Sequence, residues 1–561
     1  FIIALLMFIG MLFETLGVGL VVPVVSLLID QNSLNNYPFI QNFILQFTFV
    51  GEENFVLVIL LLLVFVFLIK NIYLFLINFY KLSFSYRVNL FLSMKIFNTY
   101  LNQSYSYFLD KNSSQLIRNI NYEVSQTITV INMIMLITTE LLVTTGIIVL
   151  ILYLQPVTAG ISIIILILIG FLIFYFTKNI ISEFGRKRVV YDGSRLKHLQ
   201  QSFNSIKDLK IFGKEDVFEK YYKKDNSGSL KIMLYQNMLK SIPQYLIEFT
   251  AVLLISAILI VLIYSSNAKP EEFVPILALF AAAAFRMMPS ANRILTSFQQ
   301  IRFAMPSVEM IHNEITNLSN TIEDKTKIKK PVTFIKEVVL EGIHYRYTSK
   351  KDWILKDVNL TIPVGAFYGF LGATGSGKST LIDIITGLLR PTKGLVRADE
   401  RNIEENLYSW QSKIGYVSQS INLIDDNLKK NIAFGINDDA IDLDKIHYAI
   451  RMSGLEKFVT NLPNGIESEV GERGARISGG EKQRLAIARA IYINPSIIIF
   501  DEATSSLDNN TEKEIIDAIE NLKGKITILM IAHRLSTLKN CDKCFKIENG
   551  DLKEENIFNY E

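Results

Sequence analysis

The sequence predicts an all-α transmembrane domain of six helices that extend into the cytoplasm, followed by an α/β nucleotide-binding domain of the P-loop type. Three observations predict it. Apolar runs cover roughly 1–29, 55–80, 127–153, 157–177, 245–264 and 272–289, each near or above the ~17–25 residues a helix needs to cross a bilayer. From about 334 the pattern changes to short Val/Ile strands alternating with amphipathic helices, as in a soluble α/β domain. Inside that second part, residues 372–379 read GATGSGKS and fill the pattern G-x-x-x-x-G-K-[ST] between a strand and a helix.

Composition fits this division. Of 561 residues 50% are hydrophobic, yet 20% are charged, so a soluble part must accompany the membrane part. A net charge of +3 is too small to argue for a nucleic-acid partner. The two cysteines, Cys541 and Cys544, form no disulfide framework. Their C-x-x-C spacing has no second Cys or His pair to complete a zinc site, and they read as two thiols of a reduced cytosolic domain. The first apolar run is too long for the core of a cleaved signal.

Charge between the runs orients the membrane domain. Segment 81–122 carries Lys81, Arg87, Lys95, Lys111 and Arg118, and segment 178–240 includes Arg186, Lys187, Arg188, Arg195, Lys197, Lys207, Lys210 and Lys214. Segment 30–54 and the turn at Gln155-Pro156 have no Lys or Arg, and 265–272 has only Lys269. The positive-inside rule makes the first two cytoplasmic and the other three external. Helical periodicity through both basic segments predicts helices running past the bilayer, with turns at Asp110–Ser114 and near Gly213–Asp216. In 37–48, Phe39, Phe43 and Phe47 recur at i, i+4 and i+8, one face of a short helix on the membrane surface. The polar stretch 311–333, ending in Lys-Lys-Pro331, reads as a linker between domains 1–310 and 334–561,.

The P-loop dictates its own chemistry. Backbone N–H groups of Gly372, Thr374, Gly375, Ser376 and Gly377 wrap phosphates at a helix N-terminus, with Thr380 just inside the helix. Lys378 reaches the β- and γ-phosphates, and the Ser379 hydroxyl holds Mg²⁺. Downstream, IIIFDE (497–502) is a buried strand ending in two carboxylates. Asp501 is placed to complete the Mg²⁺ shell, and Glu502 to polarise the water attacking the γ-phosphate. Between them, ISGGEKQRLAIARA (477–490) is a Ser-Gly-Gly turn opening an amphipathic helix. It offers N–H groups, a hydroxyl and a positive dipole end to an anion.

At this motif the chain resembles the ATP-binding cassette (ABC) family, whose signature is normally LSGGQ. Ile477 and Glu481 depart from that signature, while Ser478, Gly479 and Gly480 match it. The resemblance implies further roles. Tyr347 in HYRY would stack on adenine. Gln419 in YVSQS would touch Mg²⁺ and face the membrane domain. Ser506-Leu-Asp508 resembles the D-loop, and His533 in IAHRLST the switch histidine on the γ-phosphate. In this family Ser478 of one cassette closes over ATP on Lys378 of another, so one cassette per chain implies a C₂ homodimer. Six helices and one cassette is the half-transporter layout of ABC exporters (the type IV, ABCB-like kind). It implies a multi-pass ATPase of the bacterial inner membrane with its cassette in the cytoplasm.

The cargo is read from charges inside the apolar runs, each costly in lipid unless it faces a cavity or a partner. Lys70 and Arg286 lie at similar depth, about fifteen residues from the external helix ends, and Arg293 follows one helix face on. A cavity with these cations suits an anionic headgroup; pairing with Glu14, Glu140 or Glu248 is the rival reading. The membrane half resembles PglK-type flippases of lipid-linked oligosaccharides through RMMPSANRILTS (286–297) and FETLGVGLVVPVVSLL (13–28). That resemblance implies a polyprenyl-pyrophosphate glycan as cargo and a link to protein glycosylation. Where those flippases carry an Arg early in the fifth helix, this chain has Gln244. A lipid A, phospholipid or multidrug exporter is the alternative.

Overall fold

The computed structural model describes residues 2–20, 24–25, 55–154, 156–265, 270–319, 330–347, 352–471, 474, 477–502, 513, 515–516, 519–520, 522–532 and 535–555. The chain divides into two compact units, residues 1–103 with 108–322, and residues 104–107 with 323–561. The surface helix expected at 37–48, Ser506, Asp508 and His533 lie outside the described residues.

The first unit is helical throughout. Helices Ile2–Gly19, Phe55–Leu101, Val124–Leu154, Pro156–Asn204, Glu215–Ser265 and Pro270–Ser319 occupy the six apolar runs and their extensions. Among the described residues, five helical stretches are long and apolar enough to cross a membrane. Large apolar side chains such as Phe65, Leu68, Phe75, Phe171 and Phe249 are exposed on them, as lipid-facing positions require. The expected cytoplasmic turns are wider than single turns. Helix Phe55–Leu101 stops earlier than expected, and the short helices Tyr105–Asp110 and Ile206–Phe212 fill the two breaks. Asn112 caps the next helix, Ser113–Arg118, by accepting from the Ser114 N–H at 3.0 Å. The sixth helix continues through 311–319, inside the stretch read as linker.

One buried polar cluster ties four of these helices together. A π-helical turn, Asn119–Glu123, interrupts the third membrane helix and turns Glu123, fully buried, inward. Glu123 pairs with Arg188 at 3.1 Å and Arg118 at 3.4 Å. Arg188 also donates to Ser307 Oγ at 2.8 Å, Arg118 to the Val189 carbonyl at 3.1 Å, and Asn119 to the Tyr100 hydroxyl at 2.9 Å. The sequence reading treated Arg118 and Arg188 only as topological charges. Their carboxylate partner comes from a π turn that no local pattern announces.

The second unit carries two sheets. One is antiparallel, order β2-β1-β4-β5, built from β1 (Glu337–Tyr345), β2 (Leu355–Pro363), β4 (Lys393–Ala398) and β5 (Arg401–Asn402). The other has order β10-β9-β3-β8-β7-β6, from β3 (Phe367–Leu371), β6 (Ile414–Val417), β7 (Ile497–Asp501), β8 (Thr527–Ile531), β9 (Lys543–Glu548) and β10 (Asp551–Glu555). Strands β9, β3, β8, β7 and β6 are mutually parallel. β7 and β8 are buried along nearly their whole length, which is why they read as unbroken Ile/Phe/Leu runs rather than alternating ones.

Glu123→Ala removes the carboxylate from buried Arg118 and leaves Arg188 only Asp192 at 3.9 Å, a change that costs about 3–5 kcal/mol where such pairs have been broken. Thermal unfolding of the purified protein followed by helical circular dichroism is expected to shift to clearly lower temperature. An unchanged transition would show that the cluster contributes no stability.

Candidate functional site

Every parallel strand that feeds the site ends at the same sheet edge. The P-loop follows β3, Gln419 follows β6, Asp501 and Glu502 end β7, and the segment to His533 follows β8. Ligand sites of open α/β sheets lie outside the carboxyl ends of the strands, and the register brings the ends of β3, β6, β7 and β8 together. Asp501 aligns with Ile531 on β8, and β8 in turn pairs with β3.

The P-loop is an anion cradle in shape. Lys378 opens helix Lys378–Ile385, and its buried ammonium donates to the Gly372 carbonyl at 2.8 Å and the Ala373 carbonyl at 3.1 Å. Burial lowers its pKa, and the Glu502 and Asp501 carboxylates oppose that shift. Gly372 sits at φ +145°, where a Cβ would fall 2.7 Å from both the Ile547 carbonyl and Ser376 Oγ. Only glycine fits. Ser376 Oγ is buried with no hydrogen-bond partner, an orphan that a phosphate oxygen would satisfy. Ser379, Thr374 and Gly375 are exposed on the open side of the loop. The Tyr347 hydroxyl lies 3.3 Å from Thr380 Oγ1, placing the expected adenine-stacking ring over the start of the helix.

The acidic side is coupled and tense. The Tyr416 hydroxyl donates to Asp501 Oδ2 at 2.8 Å. Burial raises the Asp501 pKa, with the neighbouring Glu502 carboxylate adding to it and the Tyr416 bond opposing it. Asp383, one turn into the P-loop helix, is pushed up to about 6 by burial and then by Asp501. Acids crowded in this way favour a cation, which fits the donor set of Ser379, Gln419 and Asp501 to Mg²⁺. Glu502 stands at φ +48°, a left-handed conformation uncommon for a residue with a side chain. Its N–H donates to the Ile531 carbonyl at 3.1 Å, and the Gln419 amide donates to its carboxylate. Tyr416 was missed by sequence reasoning, since an aromatic at a strand end carries no motif.

Ser478 is tied into its own helix start. It caps helix Gly479–Tyr492 in a reciprocal capping box. Its N–H and its hydroxyl each donate to Glu481 Oε2 at 2.7 Å. Glu481, one of the two departures from the signature, therefore holds the serine in place. The S-x-x-E spacing was the available signal. Among the described residues the Ser478 side chain bonds only Glu481.

In the first unit, the three substrate-candidate cations converge on two carboxylates. Lys70 Nζ lies 3.2 Å from Glu14, and Arg286 contacts both Glu14 oxygens at 3.0 and 3.1 Å. Arg293 reaches Glu140 at 2.7 Å, and Arg286 lies 3.6 Å from it. Ser290 donates to Glu140 at 2.6 Å. Glu248 is exposed and takes no part.

Two family models match, the ABC transporter transmembrane region over residues 23–287 and the ABC transporter model over residues 355–505. The chain belongs to the ABC transporters. It is 29% identical over 351 residues to an ATP-dependent lipid A-core flippase of Alkalilimnicola ehrlichii, covering 62% of this chain and 58% of that protein. It is 31% identical over 377 residues to multidrug resistance protein 1 of Entamoeba histolytica, 64% of this chain and 29% of that one. A putative multidrug export ATP-binding/permease protein of Staphylococcus aureus is 42% identical over 216 residues, 38% of this chain and 37% of that protein. These alignments span less than two thirds of each relative's length. The structure of a bacterial Atm1-family ABC exporter with ATP bound superposes with a TM-score of 0.81 at 20% identity, over 98% of this chain and 94% of that one. That likeness shows the exporter fold.

The raised carboxyl of Asp383 gives a pH-dependent stability. Its folded pKa of about 6 lies above the ordinary 3.8, so the folded state binds the extra proton and loses stability as pH rises through that interval. Asp383→Asn is expected to unfold at higher temperature than the parent above about pH 6, with the gap closing towards pH 4. A gap independent of pH would contradict this assignment.

Proposed function

We propose that two copies of the chain form an ATP-driven transporter that moves an anionic amphipathic lipid across a bacterial inner membrane. The convergence of Lys378, Asp501, Glu502 and Gln419 at one sheet edge supports the ATPase reading. Backbone groups of 372–377 and the Ser376 hydroxyl hold the phosphates, and Lys378 transfers from its two carbonyl partners to phosphate oxygens. Ser379, Asp501 and Gln419 would hold Mg²⁺, which supplies positive charge beside the phosphates. Glu502 accepts a proton from the attacking water once Gln419 releases its carboxylate, and His533 contacts the γ-phosphate. Ser478, Gly479 and Gly480 of the second copy close the site, so the Ser478 cap must exchange its Glu481 bond for phosphate.

Charge arithmetic at the intramembrane cluster supports an anionic cargo. Lys70, Arg286 and Arg293 face Glu14 and Glu140, leaving one positive charge in surroundings where charge is expensive. Arg293, whose side chain is half exposed, offers the remaining donors to a phosphate. Lipid-linked oligosaccharide is the favoured cargo, on the resemblance of 13–28 and 286–297. A lipid A-core exporter is the second reading, supported by the relatives of that name.

The test is a proteoliposome assay that offers lipid-linked oligosaccharide beside lipid A and reads translocation and ATP hydrolysis separately. ATP-dependent movement of the oligosaccharide lipid is expected. Glu502→Gln should abolish hydrolysis and hold ATP in a dimer. The triple change Glu14→Gln, Lys70→Met and Arg286→Met, which leaves Arg293 paired with Glu140, should abolish translocation while hydrolysis persists. Movement of lipid A alone would overturn the oligosaccharide reading, and translocation by the triple variant would overturn the cationic site.

A further inference from the structure

The two cysteines lie outside the ATP chemistry, yet the fold places both sulfurs over one glycine. Strand β9 runs parallel to β3 with Cys544 opposite Gly369. A Cβ built on Gly369 would lie 3.0 Å from Cys544 Sγ, 3.2 Å from Cys541 Sγ and 2.8 Å from Leu538 Cδ2. The missing side chain is therefore the space that lets both thiols meet. The turn between them is pinned by backbone: the Cys541 N–H donates to the Leu538 carbonyl at 3.1 Å and the Asp542 N–H to the Phe367 carbonyl at 2.7 Å. Phe367 answers by donating its N–H to Asp542 Oδ2 at 2.8 Å.

The two thiols differ in environment. Cys544 is buried, and Cys541 is half-buried. Lys523 stands beside them, donating to the Asn540 carbonyl at 2.7 Å and pairing with Asp542 at 2.9 Å. The hydrogen bond between the thiols, and then burial, pushes the Cys541 thiol up. The same bond holds Cys544 below its ordinary value, with help from the Gly369 N–H. The pair thus gives up one proton first, and the charge resides at Cys544.

We propose that Cys541 and Cys544 form a reversible redox site, closed by a low-molecular-weight disulfide, that regulates the adjoining nucleotide site. Cys541, reachable from solvent, hands its proton to the hydrogen-bonded Cys544 sulfur as its own sulfur attacks one sulfur of the small disulfide and releases the first small thiol as a thiolate. Cys544 then gives that proton to the departed thiolate and attacks Cys541 Sγ, breaking the mixed disulfide and releasing the second small thiol as a thiolate, which takes back from solvent the proton the pair first gave up. Two protein thiols and one small disulfide become one protein disulfide and two small thiols, so atoms and electrons balance. Such exchange is governed by the thiolate fraction and by access.

Position gives the site its consequence. Gly369 is three residues before Gly372 on the strand that carries the P-loop, and the Ile547 carbonyl of β9 packs against Gly372. On the other side, Leu538 ends the short helix that follows the His533 segment. Drawing Cys541 onto Cys544 moves the turn that joins these two walls.

The test uses the full chain in glutathione buffers of reducing and oxidising poise, reading mass, thiol alkylation and MgATP hydrolysis. In oxidising buffer the wild-type chain is expected to weigh less by two hydrogens and to lose both alkylatable thiols together. Hydrolysis should fall several-fold and return with dithiothreitol, whereas Cys541→Ser and Cys544→Ser hydrolyse ATP equally in both buffers. Two thiols persisting in oxidising buffer, a stable glutathione adduct on Cys541, or a disulfide without change in hydrolysis would overturn the proposal. A chain inactive even in reducing buffer would overturn the ATPase reading instead, and mass alone would still decide whether the disulfide forms.

Discussion

The constraint on which the cassette depends is that a polyphosphate must be met by donors and acids from distant stretches of chain at one point. Parallel pairing of β3, β8, β7 and β6 satisfies it. Strands β3, β8 and β7 are buried on both faces, and all four end at the same edge, so the chain emerges there in loops with their polar groups forward. The side chains of the site are tied to one another. Lys378 is turned back on two carbonyls, Gln419 covers Glu502, and Asp501 is kept from ionising easily by burial. Each of these arrangements is one that phosphate and a cation would relieve, so binding energy is available to rearrange loops around the site.

The membrane unit solves a related problem with the opposite solvent. Charges buried between helices must be paired, and among the described residues they are paired at Glu123 with Arg118 and Arg188, in the helical extensions, and at Glu14 and Glu140 with Lys70, Arg286 and Arg293, inside the apolar runs. The first cluster is closed by hydroxyl and carbonyl partners on four helices and suits a structural role. The second has an excess cation and a half-exposed guanidinium. That difference, rather than the mere presence of charge, separates a structural knot from a binding candidate.

Much of this was legible in the sequence because it is local. The P-loop, the strand ending in Asp501-Glu502, the Ser-Gly-Gly helix start and the six apolar runs each depend on neighbours a few residues away. What was not legible depends on contacts across the chain. Tyr416 meets Asp501 only because β6 lies beside β7. Glu123 meets Arg188 across two helices and a π turn. Cys541 and Cys544 read as inert thiols until Gly369, more than 170 residues earlier, is seen to leave room for both. Glu481 lies between these cases, since its capping spacing was visible but its hold on Ser478 needed the side-chain geometry.

On the proposed reading one chain supplies only half of each ATP site, with Lys378 from one copy and Ser478 from the other. Disulfide cross-linking between Thr374→Cys and Ser478→Cys, in a chain with Cys541 and Cys544 replaced by Ser, tests it most directly. A covalent dimer on a denaturing gel is expected when MgATP is present. A cross-link confined to single chains, or none with nucleotide bound, would contradict it.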